Sequence, residues 1–281
     1  MSDFALITFL TDFGWGGGYV AACEATLASI SPDARVMHVS HEVRVGDVQE
    51  GADVLARVAP LCPVAVHLAV VDPGVGTKRR LIALKARRGD VLVGPDNGLL
   101  MPALEALGGA LAVWVLDPAR VRAQAGLPEE RISFTFHGRD VFAPAAALLF
   151  SGLPAGKIST EADPSALSVL APRVTKIGPD EVCAEVVEVD RFGNVGLALP
   201  FDRFKPSHPN VEVEVVGEGL PSWSARLVRT YGDLAPGELG LYQDSWGQMG
   251  LALNGASAAE LLGVQRGMLI KMCEPTSLGD R

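Results

Sequence analysis

The first half of the chain alternates short hydrophobic runs with segments that place hydrophobic residues three or four positions apart. Continuous hydrophobic runs are typical of buried strands, and the three-to-four spacing is typical of amphipathic helices. The runs predict strands at residues 5–10, 35–39, 64–71, 81–86, 90–93 and 111–116. The helical spacing predicts helices at residues 19–30, 47–59 and 99–107. Strands that alternate with helices predict an α/β fold with a largely parallel sheet.

The pattern changes in the second half of the chain. Residues 156–172 are rich in proline, serine and acidic residues, and they predict a linker between an N-terminal domain at 1–155 and a smaller C-terminal domain at 173–281. Short strands are predicted at residues 182–189, 195–199, 211–216, 224–230, 239–242, 249–253 and 268–273, and one helix at 256–262. Frequent short strands with turn residues between them are typical of an antiparallel barrel or sandwich, and the pattern leaves both open.

Composition narrows the classes of partner. The 281 residues include 24 basic and 33 acidic residues, a formal net charge of −9, which argues against nucleic acid or an anionic membrane as a partner. No apolar run reaches the length of a membrane helix, residues 143–150 coming nearest, and no signal peptide is recognised at the N-terminus. The four cysteines form no C-x-x-C pair, which favours a reducing cytoplasmic location.

Several polar clusters follow predicted strands, where ligands bind in open α/β sheets. Asp12 follows the first strand and could bind a ribose diol, although capping of the next helix explains it equally well. Asp72 begins a glycine-rich turn that ends at Arg79, and the two side chains could pair across that turn. Taken alone, a structural turn with a surface ion pair explains this second cluster better than a ligand site does.

The remaining clusters each have a structural explanation. Asp96 or Asn97 is placed to cap the following helix. His137 lies among glycine and charged residues, outside any apolar face. The segment at 190–194 suits a hairpin turn. His38 and His41 lack a clear third ligand, so a zinc site is only weakly indicated.

Together these clusters resemble the S-adenosylmethionine hydroxide adenosyltransferase family, the water-using relatives of the bacterial fluorinase and chlorinase. The motifs occur in the same order over nearly the whole chain: T-D-F-G at 11–14, V-D-P-G-V-G at 71–76 with Arg79, P-D-N-G at 95–98, F-H-G-R-D at 136–140, D-R-F-G-N at 190–194, and Ser245 with Gly247 followed by A-L-N-G at 252–255.

The resemblance implies an N-terminal α/β domain, a C-terminal β-barrel domain, and a homotrimer with active sites at the subunit interfaces. It implies no cofactor and no metal. The family's catalytic residues correspond to Asp72, Arg79 and His137. Its substrate-binding positions correspond to Asp12 for the ribose, Phe192 and Asn194 for adenine, and Asp190 and Ser245 for the methionine amino acid group.

The implied reaction is hydrolysis of S-adenosyl-L-methionine by attack of water at the ribose C5′, which gives adenosine and L-methionine. In the halogenases a tyrosine occupies the place of Asp72, and a carboxylate there favours water over a halide. Two other functions stay open as alternatives. One is a non-catalytic sensor of S-adenosylmethionine or adenosine, which gives no reason for the three catalytic residues. The other is a metal-dependent phosphohydrolase, which a chelator would inactivate.

The sequence departs from the family pattern at three positions. Gly17 stands where the family carries an aspartate that helps to hold the methionine end of the substrate. Glu24 replaces a lysine in the next motif. Trp246 follows Ser245 where the fluorinase has an arginine. These changes concern the methionine subsite, and they also fit a sulfonium or adenosyl substrate with a different tail.

Overall fold

The computed structural model describes residues 4–128, 132–178, 181–217, 219 and 221–275. The chain divides into two compact units, Met1–Leu170 and Ala171–Arg281. The first unit has helices on both sides of a sheet, and the second is a closed barrel.

The first unit is built on one seven-stranded sheet. Its strands are β1 (Ile7–Thr11), β2 (Val36–Ser40), β3 (Val66–Val70), β4 (Leu81–Ala86), β5 (Val91–Pro95), β6 (Ala110–Leu116) and β7 (Ser159–Glu161). Its helices are α1 (Tyr19–Ile30), α2 (Val48–Val58), α3 (Met101–Ala106), α4 (Pro118–Gln124) and α5 (Ala143–Phe150), the last preceded by a π-helical turn at Gly138–Phe142. The strand order is β2-β1-β3-β5-β4-β6-β7.

The core strands of this sheet are parallel, as the sequence pattern predicted. β2, β1, β3 and β5 run parallel to one another, and β4, β6 and β7 continue the sheet in antiparallel pairing. The direction changes because only residues 87–90 connect β4 to β5, and so short a connection can join antiparallel strands only. The predicted α/β fold is confirmed.

Successive side chains of the central strands point alternately into two apolar cores, one on each face of the sheet. In β1, Ile7 and Phe9 pack in the core that contains α1 and α5, and Leu10 packs in the core that contains α2 and α3. Successive strand residues point to opposite faces of a sheet, so buried strands of this kind are apolar throughout. With both faces covered, ligands can approach this sheet only at its edges.

Two elements of the first unit, β7 and α5, carry no clear pattern in the sequence. The three residues of β7 are Ser-Thr-Glu and lie within the segment 156–172 that was predicted as a linker. All eight residues of α5 are buried, so the helix has no polar face to reveal its period. None of the helices in the described ranges is long and apolar enough to span a membrane.

The second unit is a barrel, which decides between the two architectures that the sequence left open. Its elements are β8 (Thr175–Ile177), β9 (Glu181–Val189), β10 (Val195–Pro200), β11 (Asn210–Val215), β12 (Trp223–Leu227), β13 (Leu239–Gln243), β14 (Gln248–Leu253), α6 (Ala258–Leu262) and β15 (Leu269–Cys273). Seven strands follow the order β10-β14-β13-β12-β11-β15-β9, and pairing of β9 with β10 closes the ring. Alternate residues such as Val211, Val213 and Val215 fill the interior.

Candidate active site

Two aspartates lie at the same edge of the first sheet. Asp12 directly follows β1, and Asp72 follows β3, the neighbouring parallel strand, with Thr11 opposite Val70 in the register. Parallel neighbours end at one edge, so both carboxylates reach the position where open α/β sheets bind ligands. Asn97 follows β5 and donates its Nδ2 to the carbonyl oxygen of Val71 at 2.8 Å, which fixes the start of the Asp72 turn.

Gly76 lets the Asp72 turn pack against the segment that carries His137. Gly76 has φ +78°, and a Cβ there would lie 2.6 Å from the carbonyl oxygen of Phe134. Both the left-handed backbone and this close approach require glycine. The turn is closed by the amide of Val75, which donates to the carbonyl oxygen of Asp72 at 3.2 Å. The glycine pattern therefore places Asp72 and His137 on adjoining segments.

Arg79 joins Asp72 to His137. Its Nε donates to Asp72 Oδ1 at 2.8 Å, and its Nη2 donates to Asp72 Oδ2 and to His137 Nδ1, the latter at 3.0 Å. The side chains of Arg79 and Asp72 are 10% and 6% exposed. The predicted pairing is confirmed, but the interpretation as a surface ion pair is wrong, because the pair is nearly buried. The guanidinium also lies 5.4 Å from the centre of the Phe142 ring.

The contact with Arg79 fixes the protonation of His137. A guanidinium can only donate, so Nδ1 must accept, and the proton of the neutral ring is on Nε2. Burial and then the charge of Arg79 lower the pKa of His137. The ring is therefore neutral at pH 7 and can offer an N–H donor at Nε2.

Asp12 is held by a distant backbone group and does not cap a helix. The amide of Gly46 donates to Asp12 Oδ2 at 2.8 Å. Helix α1 begins at Tyr19 with Gly18 as its N-cap and no side-chain cap, so the capping interpretation of Asp12 is wrong. Asp12 Oδ1 accepts no hydrogen bond from the residues described, which leaves it available to a ligand hydroxyl.

The predicted cap at residues 96–97 is also wrong. Helix α3 has Leu100 as its N-cap and no side-chain cap. Asp96 instead accepts from Arg80 Nε at 2.7 Å and from the amide of Ser168 at 2.9 Å. Asn97 holds the carbonyl oxygen of Val71, so its role is to support the Asp72 turn.

A chain of hydrogen bonds lies beneath the Asp12 loop. The amide of Phe13 donates to Thr11 Oγ1 at 3.2 Å, Thr11 contacts His41 Nδ1 at 2.8 Å, His41 Nε2 contacts His38 Nδ1 at 2.7 Å, and His38 Nε2 contacts Glu24 Oε1 at 3.0 Å. An ionised carboxylate can only accept, so the last hydrogen bond of the chain is donated by His38 Nε2 to Glu24.

The two histidines of this chain bond to each other and do not face a common metal. Burial, followed by the nearby His38, lowers the pKa of His41 to about 4. In the described part of the chain, no group of three or more His, Cys, Asp and Glu side chains is arranged to hold a metal ion. The weak indication of zinc at His38 and His41 therefore finds no support.

A second buried chain has the residue types of a catalytic triad but no access to solvent. Thr8 Oγ1 lies 2.8 Å from His67 Nδ1, and His67 Nε2 lies 3.2 Å from Asp90 Oδ1. All three residues are fully buried. A nucleophile needs contact with its substrate, so this group is structural.

In the second unit, Asp190 organises the turn between β9 and β10. Its Oδ1 accepts from the amides of Phe192 and Asn194 at 2.8 and 2.9 Å, and its Oδ2 accepts from Asn194 Nδ2 at 2.8 Å. The predicted hairpin turn is confirmed. The same bonds aim the Asn194 side chain and leave Phe192 80% exposed.

Beside this turn lies a polar cavity of about 380 Å³. Its lining includes the predicted residues Asp190, Asn194 and Ser245 together with Arg229, Tyr231, Tyr242 and Trp246. A second cavity beside it is lined by Phe192, Asn194 and Tyr231. The rings of Tyr231 and Tyr242 meet edge to face with centroids 5.0 Å apart. The sequence pattern identified neither tyrosine nor Arg229, because they lie in segments that are recognisable only as strand or turn.

These observations define a class of protein in which an α/β unit with charged side chains at its strand ends precedes a barrel with a polar cavity. The model of the SAM hydroxide adenosyltransferase N-terminal domain matches residues 7–159, and that of the C-terminal domain matches residues 184–271. The chain belongs to the SAM hydroxide adenosyltransferase family.

Individual relatives cover almost the whole chain. The (R)-S-adenosyl-L-methionine hydrolase of Salinispora tropica is 48% identical over 93% of this chain and 95% of its own length. A fluorinase of Actinopolyspora mzabensis is more distant, at 25% identity over 95% of this chain and 96% of its own. The crystal structure of an uncharacterized conserved protein from Thermotoga maritima superposes with a TM-score of 0.85 at 34% identity, covering 96% of this chain and all of that chain.

Proposed function

We propose that this protein hydrolyses S-adenosyl-L-methionine to adenosine and L-methionine. The observation that carries the proposal is the cluster of Asp72, Arg79 and His137 at the edge of the sheet, in which the Asp72–Arg79 pair is nearly buried. Membership of the family over both domains supports it, as does the 48% identity to a relative named as a hydrolase of this compound. A sensor would have no need of such a cluster.

The reaction needs no general acid, because the leaving group departs as a neutral thioether. The oxygen of water forms a bond to C5′ of the ribose while the C5′–S bond breaks. The electron pair of the C5′–S bond goes to the sulfonium sulfur, which becomes the neutral thioether of methionine. One proton of the water is released. The protein must hold the water in line with the breaking bond, roughly 3–3.5 Å from the carbon.

Asp72 is the group best suited to accept that proton. Neutral His137 has its Nδ1 occupied by Arg79 and a hydrogen on Nε2, so the ring can orient water by donating but cannot accept from it. Arg79 can only donate. The two carboxylate oxygens of Asp72 contact Arg79 and keep further lone pairs, so Asp72 can still accept from water. We assign Asp72 as the general base, and Arg79 and His137 as the groups that position the water.

The nature of Asp72 also favours water over a halide. A negatively charged side chain repels a halide ion at short range and attracts the hydrogen of water. The resemblance places a tyrosine at this position in the halogenases, and the identity to the fluorinase is only 25%. We therefore propose hydrolysis and not halogenation.

Substrate contacts are proposed from the residues that match the family. Asp12 Oδ1 would accept a ribose hydroxyl. Phe192 and Asn194 would contact the adenine, and Asp190 and Ser245 would contact the amino acid group. The fully bonded Asp190 turn supports this proposal, because it holds Asn194 and Phe192 in place before a ligand arrives.

Oligomeric state and location are proposals of the same kind. A homotrimer with active sites at the subunit interfaces follows from the resemblance, and light scattering of the purified protein would measure it. A cytoplasmic location is supported by the four cysteines, all of which are free thiols.

The first experiment is hydrolysis in ¹⁸O-labelled water. The purified protein is incubated with each sulfonium epimer of S-adenosyl-L-methionine, with and without a chelator, and the products are identified by liquid chromatography and mass spectrometry. Because the relative with 48% sequence identity is named as a hydrolase of the (R) epimer, we expect turnover of that epimer. Adenosine labelled at its 5′ oxygen, with unlabelled methionine and no chelator effect, is the expected result. Intact substrate, or methylthioadenosine as the product, would contradict the proposal.

A further inference from the structure

We propose that Arg229 binds the carboxylate of the substrate's amino acid end, and that it makes the enzyme select against adenosyl sulfonium compounds that lack this carboxylate. The proposal rests on the proposed function, since it concerns the amino acid end of the same substrate. The family motifs quoted above do not include this arginine.

The charges around the barrel cavity single out Arg229. The lining contains three acidic residues, Glu188, Asp190 and Asp244, and within the described part of the chain Arg229 is its one basic residue. An amino acid end carries both an ammonium and a carboxylate. The acidic side chains match the positive groups of such a ligand, and only Arg229 matches the negative one.

The Arg229 side chain is available to a ligand. It is exposed, and none of the described residues forms an ion pair with it. Arg226, three residues earlier, shows the contrast, because its Nε donates to Glu238 Oε1 at 2.6 Å. An arginine without a partner can offer its planar set of donors to a carboxylate in two parallel hydrogen bonds.

The backbone at Arg229 is held in place even though the side chain is not. The amides of Arg229 and Thr230 both donate to Asp233 Oδ2, at 3.2 and 3.1 Å. The amide of Val228 donates to the carbonyl oxygen of Leu241 at 2.9 Å, which ties this turn to β13. The turn therefore keeps the base of the side chain at the cavity.

Backbone groups already bind oxygens of two of the acidic side chains of the cavity. Asp244 Oδ1 accepts from the amides of Trp246 and Gln248, both at 2.8 Å. Asp190 accepts the three hydrogen bonds of its turn. Neither carboxylate pairs with Arg229, so the cavity keeps a separate positive and negative side, as a zwitterionic ligand requires.

Position 246 of the same cavity supplies no charge in this chain. The residue there is Trp246, whose indole carries no charge and is 43% exposed. The cavity therefore lacks a positive charge at position 246. Arg229 lines the same cavity from the turn after β12, and it is the source of positive charge among the described lining residues.

The test compares the binding of two ligands that carry a thioether in place of the sulfonium, so that the enzyme cannot hydrolyse them. S-adenosyl-L-homocysteine carries the carboxylate, and its decarboxylated counterpart does not. Calorimetry on the full chain should show that the wild type binds the first about 10- to 100-fold more tightly than the second. Arg229→Met should weaken binding of the first by a similar factor and leave binding of the second within about twofold. Arg203→Met, which alters an exposed arginine outside the cavity lining, should change neither.

Measurements of turnover test the role of Arg229 separately from the proposed hydrolysis. With S-adenosyl-L-methionine, Arg229→Met should raise KM and leave kcat nearly unchanged, and Arg229→Lys should recover part of the loss in KM. Equal losses for both ligands in Arg229→Met, or no loss for either, would overturn the role of Arg229. Absence of adenosine from the wild type would overturn the proposed function, and the binding comparison would still decide whether Arg229 recognises the carboxylate.

Discussion

The two units hold their candidate residues in different ways. In the α/β unit, Arg79 bonds to both Asp72 and His137, and the Asp72–Arg79 pair is largely shielded from water. In the barrel unit, the backbone of the turn is fully bonded, but side chains such as Phe192 and Arg229 stand exposed.

This difference suits the first unit to catalysis and the second unit to ligand recognition. Charged groups that are already paired and desolvated need little rearrangement when a reaction begins, which is the arrangement that favours electrostatic catalysis. Exposed aromatic and charged side chains gain their partners only when a ligand arrives. We therefore expect changes in the first unit to alter rate and stability, and changes in the second to alter affinity.

The largest expected effect comes from removing the charge of Asp72. Asp72→Asn keeps the shape of the side chain and removes both the basic carboxylate and the negative charge that pairs with Arg79. We expect kcat to fall on the order of 10³-fold, the usual contribution of a positioned general base. The measurement is the rate of adenosine release, with circular dichroism as a check on folding. The matched control is Asp33→Asn, an exposed aspartate with no side-chain hydrogen bond to the described residues. A kcat within tenfold of wild type would rule out Asp72 as the base.

The next effect is a dependence of stability on pH that is specific to the first unit. An unfolded histidine takes up a proton near pH 6.5, but folded His41 does so only at about 4. The unfolded chain therefore binds more protons between these values, and the free energy of unfolding should fall with decreasing pH. For His41 the loss is at most about 3 kcal/mol, and the lowered pKa of His137 acts in the same direction.

Urea unfolding at pH 7 and pH 4.5 measures this dependence. His41→Gln should flatten it, and His208→Gln, which changes an exposed histidine of the barrel unit, should leave it as in the wild type. The same loss of stability in wild type and His41→Gln would show that other groups cause the effect.

The smallest expected effect comes from the exposed aromatic ring of the barrel unit. Phe192→Ala removes a side chain that is 80% exposed, so the free energy of unfolding should change by less than about 0.5 kcal/mol. Loss of stacking on adenine should weaken adenosine binding about 3- to 10-fold. Leu111→Ala, an exposed apolar truncation in the first unit, serves as the control for adenosine binding. Unfolding of the Phe192 variant at lower urea with unchanged adenosine binding would mean that the ring is structural.

The local sequence pattern was enough to predict several features of the fold and of the candidate site. The α/β alternation, the pairing of Asp72 with Arg79 and the hairpin at Asp190 all depend on residues close together in the chain. Period-two strands could not decide between barrel and sandwich, because the ring closes only through the pairing of β9 with β10.

Other features depend on contacts between distant segments. Asn97 supports the Asp72 turn because β5 lies beside β3, and the sequence suggested only a helix cap. His38 and His41 suggested a weak metal site, whereas β1 and β2 bring them into a chain with Thr11 and Glu24. Arg229 reaches the cavity because β12, which precedes it, pairs with β13, and no local spacing reveals that pairing.

The hydrogen-bond chain beneath the Asp12 loop constrains how this sequence can change. A lysine at position 24, as in the family pattern, can only donate, so it cannot accept the hydrogen bond that Glu24 accepts from His38 Nε2. A lysine there would need a partner other than the N–H of His38, or a His38 tautomer whose Nε2 carries no proton. Glu24→Lys beside the present histidines should therefore lower the free energy of unfolding.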